Sequence, residues 1–331
     1  MNTRLLLLAF LFMLSFSKTS AQYTDVINTN RPGVSEGAFA VGRDVIQLET
    51  GFSYGKEEHS LLDTESTGYG IDYTLRYGLL FERLELNLTG VFHSDAITYR
   101  AFTPEIEKDI ANFKRNTIGL KYLLYDPHIK RELKGPNLYS WRANNKFQWR
   151  DLIPAISLYA GANLDIDKNN PYLPVGNPTV SPRIVLATQN NWDGGWVFVT
   201  NIIADRFTTD YPTYSYILTL THAINQRFSF FLENEGIMSD FYADQLIRGG
   251  AATLINQNFH VDLSVTYSFK DTPSILYGRV GVAYRLDLHK TDEFIEDKDP
   301  KVRKERKATQ KAEKREAKKR RKSNNVEGET K

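Results

Sequence analysis

Apolar residues return at every second position in runs of about ten residues, and such runs recur along the chain. A period of two belongs to an extended strand whose two faces meet different surroundings. In Val45–Tyr54, Ile46, Leu48, Thr50, Phe52 and Tyr54 share one face, while Gln47, Glu49, Gly51 and Ser53 take the other. Val261–Phe269 sets Val261, Leu263, Val265, Tyr267 and Phe269 against Asp262, Ser264, Thr266 and Ser268. Similar runs are Tyr69–Tyr77, Leu84–Phe92, Ile118–Leu124, Ile156–Ile166, Tyr214–Thr221, Phe228–Glu235 and Tyr277–Leu286. Three more are weaker. Arg183–Thr188 is short, Trp196–Ile203 is apolar on both faces apart from Thr200 and Asn201, and Leu246–Leu254 is rich in Gly and Ala. Together they predict twelve strands, an even number.

Alternation alone suits a soluble β-sandwich as well as a membrane barrel. Two features favour the barrel. The apolar faces end repeatedly in Tyr or Phe, as aromatic girdles at two water interfaces require. The links also alternate in length. Gly78–Glu82, Asn190–Gly195, Ala223–Arg227 and Asn256–Asn258 are tight, whereas Gly55–Gly68, His93–Phe113, Asp167–Pro182 and Ala204–Thr213 are long. Short periplasmic turns and long external loops give that rhythm. Tyr125–Ile153 breaks it, being long where a short turn belongs, and is read as a periplasmic or rim-covering excursion with a short helix. The expected fold is therefore all-β: a transmembrane antiparallel up-and-down barrel over residues 44–289.

Composition agrees. Mean hydropathy is −0.42, which excludes a bundle of membrane helices but not a barrel, whose strands alternate. The absence of Cys excludes disulfide scaffolds, thiolate metal sites and thiol catalysis. Arg4 followed by Leu5–Leu14 and the small residues Thr19-Ser20-Ala21 reads as a secretory signal peptide over residues 1–21. Residues 22–43 form either a plain periplasmic lead-in or a plug folded into the lumen, with the lead-in slightly favoured. Lys301–Lys331 holds 14 Lys or Arg against 5 Asp or Glu, so the remainder of a chain with net charge +2 is acidic. The tail, residues 290–331, has almost no apolar residues after Lys301 and is a solvated helix or disordered.

The polar faces carry full charges: Glu49, Asp72, Arg76, Glu85, Lys121, Asp165, Glu233, Glu235, Asp262, Arg279 and Arg285. These are the candidate lumen-lining residues. Charges in a narrow lumen either pair into a plug-like network or line a solute path. Catalytic and cofactor motifs are not found. His59, His93, His128, His222, His260 and His289 lack zinc-ligand spacing. Gly51-Phe52-Ser53-Tyr54-Gly55 has the Gly-x-Ser-x-Gly spacing but continues the Val45–Tyr54 alternation and is not a strand-to-helix elbow, and there is no phosphate-cradling loop. A Ser–His hydrolase built on strands, for which His222 and His260 are the candidates, is the minor alternative.

Asn28-Thr29-Asn30-Arg31-Pro32-Gly33 and Val41–Phe52 resemble the opening of the phenol-degradation MetA-pathway family. Gly249–Asn258 with Val261–Ser264 resembles its penultimate hairpin, and Val280–Leu286 its closing strand. The resemblance covers roughly Asn28–Leu286. It implies an outer-membrane barrel that moves small, perhaps hydrophobic, molecules, and no catalytic residue. Asn30 stands where the family has Asp, and the tail lies outside the resemblance.

The expected function is a passive outer-membrane channel or transporter for small solutes, with no cofactor and no metal. Its partners would be the lipid bilayer, the solute and the barrel-assembly machinery, and not nucleic acid. The alternative is a non-conducting barrel whose tail, residues 301–322, holds a periplasmic partner or the cell wall.

Overall fold

A computed structural model of the 331-residue chain describes residues 26–128, 139, 149–192 and 194–288. The chain divides into two units, Met1–His289 and Lys290–Lys331, and only the first contains described residues. The signal peptide and the basic tail predicted from sequence lie outside them.

Twelve antiparallel strands close on themselves in sequence order, with β1 against both β2 and β12. They are β1 Val45–His59, β2 Thr64–Gly78, β3 Leu84–Tyr99, β4 Ile106–Tyr125, β5 Ala155–Leu164 and β6 Val180–Trp192. The circuit continues with β7 Trp196–Asp205, β8 Thr213–Ala223, β9 Phe228–Met238, β10 Asp244–Asn256, β11 Phe259–Ser268 and β12 Ser274–Asp287. All twelve runs seen in the sequence are strands. Closure gives every edge donor and acceptor a partner, which a sheet in lipid requires.

The packing inverts that of a soluble protein. Leu48, Phe52, Ile118, Ile202, Leu218, Leu232 and Val280 point outward and are exposed, whereas Gln47, Glu85, Asn163, Asn201 and Glu233 point inward and are 0% exposed. The outward face is the surface offered to lipid. Aromatic residues cluster at both of its rims. Trp192 stacks with Phe198 (6.1 Å) and Phe259 meets Tyr284 (6.3 Å) at the end that holds Val45 and Asp287, while Phe52 stacks with Tyr69 (6.2 Å) toward the other. We call the first end terminal and the second distal.

The distal links are shorter than the sequence suggested. The strands run on through Gly55–His59, Thr64–Gly68, His93–Tyr99 and Ile106–Phe113, leaving turns such as 60–63 and 100–105. Their polar pairs, Glu57 opposite Ser66 and Thr98 opposite Glu107, need no apolar face because they stand clear of lipid. The long terminal link between β4 and β5 does exist. Its described part holds a 3-10 turn at Trp149–Leu152.

Candidate functional site

The lumen is occupied by the chain itself. Ile27 N–H donates to Gln257 O (2.8 Å) in the terminal turn between β10 and β11, and Asp44 N–H donates to Gly78 O (3.2 Å) where the wall begins. Between these points the backbone bonds to wall side chains instead of pairing as a strand. Asn30 N–H donates to Glu49 (3.3 Å), Val34 and Ser35 N–H to Glu233 (3.1 and 3.3 Å), and Glu36 N–H to Asn201 (2.6 Å). Ala38 N–H reaches Gln189 (3.0 Å) and Val41 N–H reaches Glu85 (2.9 Å). Those acceptors stand on β1, β9, β7, β6 and β3, so residues 28–41 run within the barrel. The plain periplasmic lead-in slightly favoured from sequence differs from this course. Asn30 accepts from Gly37 N–H (2.9 Å) and closes a loop within the segment.

Arg31 is seated in a built receptor. Asp72, Gly51, Gly281 and Asp262 lie in one row across β2, β1, β12 and β11. The two glycines leave the floor open, and a Cβ on either would overlap the guanidinium. The two aspartates close the ends: Arg31 donates to Asp262 at 2.7 and 3.1 Å and to Asp72 at 2.6 Å. Arg279 adds bonds to the carbonyl oxygens of Pro32 and of Gly33 (2.9 Å for Gly33).

Glu49, Arg76, Glu85 and Lys121 form a second cluster below it. Arg76 meets Glu49 at 3.2 Å and Glu85 at 2.9 Å, and Lys121 meets Glu85 at 3.2 Å. All four side chains are at most 3% exposed, so each charge depends on the others for solvation. Arg76 and Lys121 also donate to Asn28 O (2.9 Å) and Gly37 O (3.2 Å) of the lumen segment. Glu233 and Glu235 share Arg248 at 3.1 and 2.6 Å. Toward the distal end, Asp165 pairs with Arg206 (3.2 Å), and Arg183 with Asp205 (2.9 Å).

Ten of the eleven charged candidates thus sit in ion pairs inside the barrel. Arg285 donates to Asn258 (2.9 Å) at the terminal turn. Sequence reasoning missed Arg31, Arg183, Asp205 and Arg248. Arg183 and Arg248 lay in the two weakest strand patterns, and Arg31 lay before the first strand. His93 was placed in a loop but faces inward from β3, bonded to Asp95 (3.0 Å). Among the described residues neither hydrolase candidate bonds to a hydroxyl: His222 stacks on Trp196 (4.1 Å), and His260 faces Asp262 (3.9 Å).

Polar within and apolar without, the closed twelve-strand wall defines a transmembrane β-barrel of the outer-membrane type. The chain belongs to the family described as "Putative MetA-pathway of phenol degradation", whose model matches residues 29–286. Among solved structures it is similar to an outer membrane channel from Pseudomonas putida F1, at 9% identity, over 78% of this chain and 100% of that one, with a TM-score of 0.49. It is also similar to the NanC porin (9%, 73% and 100%, 0.44) and to the translocator domain of autotransporter NalP from Neisseria meningitidis (10%, 74% and 89%, 0.43). No curated protein sequence matches the chain. At such identities these likenesses assign no cargo.

Proposed function

We propose that the protein is an outer-membrane channel through which small solutes diffuse passively, and that residues 28–41 are its plug. One observation carries the reading: the lumen segment is held by side-chain acceptors of the wall, not by strand pairing. Val34 and Ser35 N–H bond to Glu233 at 3.1–3.3 Å, at the long end of the normal range. Bonds to a charged acceptor are worth about 1.5–3 kcal/mol each after exchange with water. A segment tied this way can shift without opening the barrel, whereas a packed apolar interior could not. The charged wall then serves two states. It pairs with the plug at rest and becomes the lining of a wet path when the plug moves.

A non-conducting barrel is the second reading, and the number of buried ion pairs favours it. The tail could then hold a periplasmic partner or the cell wall. Insertion would depend on the barrel-assembly machinery in either case. We read no enzyme here.

Single-channel recording in a planar bilayer tests the proposal, with wild type beside Glu233→Gln/Glu235→Gln. Discrete openings are expected, longer in the variant and with altered ion preference. Folded, inserted barrels that stay silent in both forms would overturn it.

A further inference from the structure

Among the described residues the lumen holds two buried apolar clusters, the smaller joining Ala38 of the segment to Leu123 and Ala155 of the wall. Tyr159, Val185, Ile203 and Ile217, on β5 to β8, form a cluster at most 5% exposed, and Val34 of the lumen segment packs on it. Polar levels bound it on both sides: the Arg183–Asp205 pair distally and Asn201 and Thr219 terminally.

A second observation concerns Arg115 on β4. Arg31, Arg76, Arg183 and Arg248 all sit in ion pairs, but Arg115 has no hydrogen-bond or ion-pair partner among the described residues, and its Nε is buried. Two residues along the same face of β4, Thr117 donates to Asn163 (2.9 Å), and Asn163 donates to the Asp205 that pairs with Arg183, so Arg115 stands at the distal polar level that bounds the patch. Asp205 and Glu235 already belong to Arg183 and Arg248. Glu36 belongs to none, and its Oε2 is buried without a partner. Glu36 lies two residues from Val34. The resting segment thus brings one apolar side chain to the patch and one carboxylate into the field of an unpaired guanidinium.

We propose that this waist is a recognition site for amphipathic organic anions, small carboxylates with an apolar body, and that Val34 and Glu36 are their internal stand-in. Resting on the channel reading, this names its solute class. Arg115 takes the carboxylate, since a guanidinium suits it bidentately. Val185, Ile203 and Ile217 take the body, with the Tyr159 ring at their edge. Entry of such a solute replaces both contacts of the stand-in at once, so recognition and plug movement are one exchange.

Titration calorimetry on the detergent-solubilised full chain tests the site without requiring conductance. The probes are benzoate, acetate and benzylamine. Benzoate is expected to bind at least about tenfold more tightly than acetate, which lacks the body, or benzylamine, which has the wrong charge. Arg115→Gln should weaken benzoate about tenfold or more, while Val34→Ala and Glu36→Gln, which remove the competitor, should each strengthen it. Equal binding of acetate and benzoate, or indifference of benzoate to Arg115→Gln in a protein that still runs as a folded barrel, would overturn the proposal. Benzoate binding beside silent bilayers would remove the channel reading and leave the site. Openings with no benzoate preference would do the reverse.

Discussion

Replacing Arg31 with Gln should release the lumen segment. Arg31 makes three charge-assisted bonds, at 2.7 and 3.1 Å to Asp262 and at 2.6 Å to Asp72, over a floor of two glycines. Bonds to charged groups contribute about 1.5–3 kcal/mol each. Part of that is recovered in the variant, because Asp72 keeps Arg279 at 3.8 Å. A net loss of about 3 kcal/mol follows, with breaking of a buried pair as its upper guide. At about 1.4 kcal/mol per factor of ten, the displaced population rises about a hundredfold. Open probability in a planar bilayer reads that population directly. Gly281→Ala should act in the same direction, since its Cβ would occupy the space of the guanidinium. An Arg31→Gln barrel whose open probability stays within about threefold of wild type would refute the latch.

Arg76→Met leaves Glu49 and Glu85 buried with only Lys121 between them, and should cost about 3–5 kcal/mol in urea unfolding of the refolded barrel; a loss under 1 kcal/mol (about one surface pair) would contradict the cluster's role. Leu232→Arg places a charge on the lipid face and should cost about 2–4 kcal/mol in the same assay run in liposomes, and much less in water-rich detergent rims. Tyr172, in the link between β5 and β6, donates to Asp95 (2.8 Å), and burial first, then this bond, raise its phenol above the ordinary value. Its contribution is therefore intact below the ordinary tyrosine range and lost only as alkali climbs through the raised value. Tyr172→Phe should remove one late-titrating phenol from an absorbance titration, and an unchanged late phase would contradict this. Truncation before Asp292 should leave a barrel that still inserts, checked by heat-modifiable migration on gels.

The wall was legible because lipid and lumen impose opposite demands on alternate residues. Leu48 and Gln47 could not exchange places, and that constraint is written at every strand. Where a demand relaxes, legibility falls. Beyond the lipid, at Glu57 or Thr98, both faces are wet and the period fades, so strand read as loop. Trp196–Ile203 showed apolar residues on both faces and was taken as a weak strand. Its inward members Val199 and Ile203 are in fact the lumen's apolar side. The lumen segment was the least legible part. Apart from the Arg31 side chain, many of its ties are backbone N–H groups, as at Val34, Ser35, Glu36 and Ala38, which every residue except proline carries, so their partners leave no mark on residue type. Pairing of charges was likewise hidden: Glu233 and Glu235 share a face by spacing, but the arginine between them comes from the neighbouring strand.

The central claim is that a movable segment of the chain fills the channel, and a single crosslink tests it most directly. Ser35 Oγ and Thr219 Oγ1 lie 2.8 Å apart, joining the segment to β8, in a chain that has no cysteine of its own. Ser35→Cys/Thr219→Cys therefore offers one candidate disulfide between the segment and the wall. The account predicts that oxidation forms this bond in the folded barrel and abolishes its openings in a planar bilayer, and that reductant restores them. Thiols that stay free in the folded barrel, or openings indifferent to the bond, would contradict it.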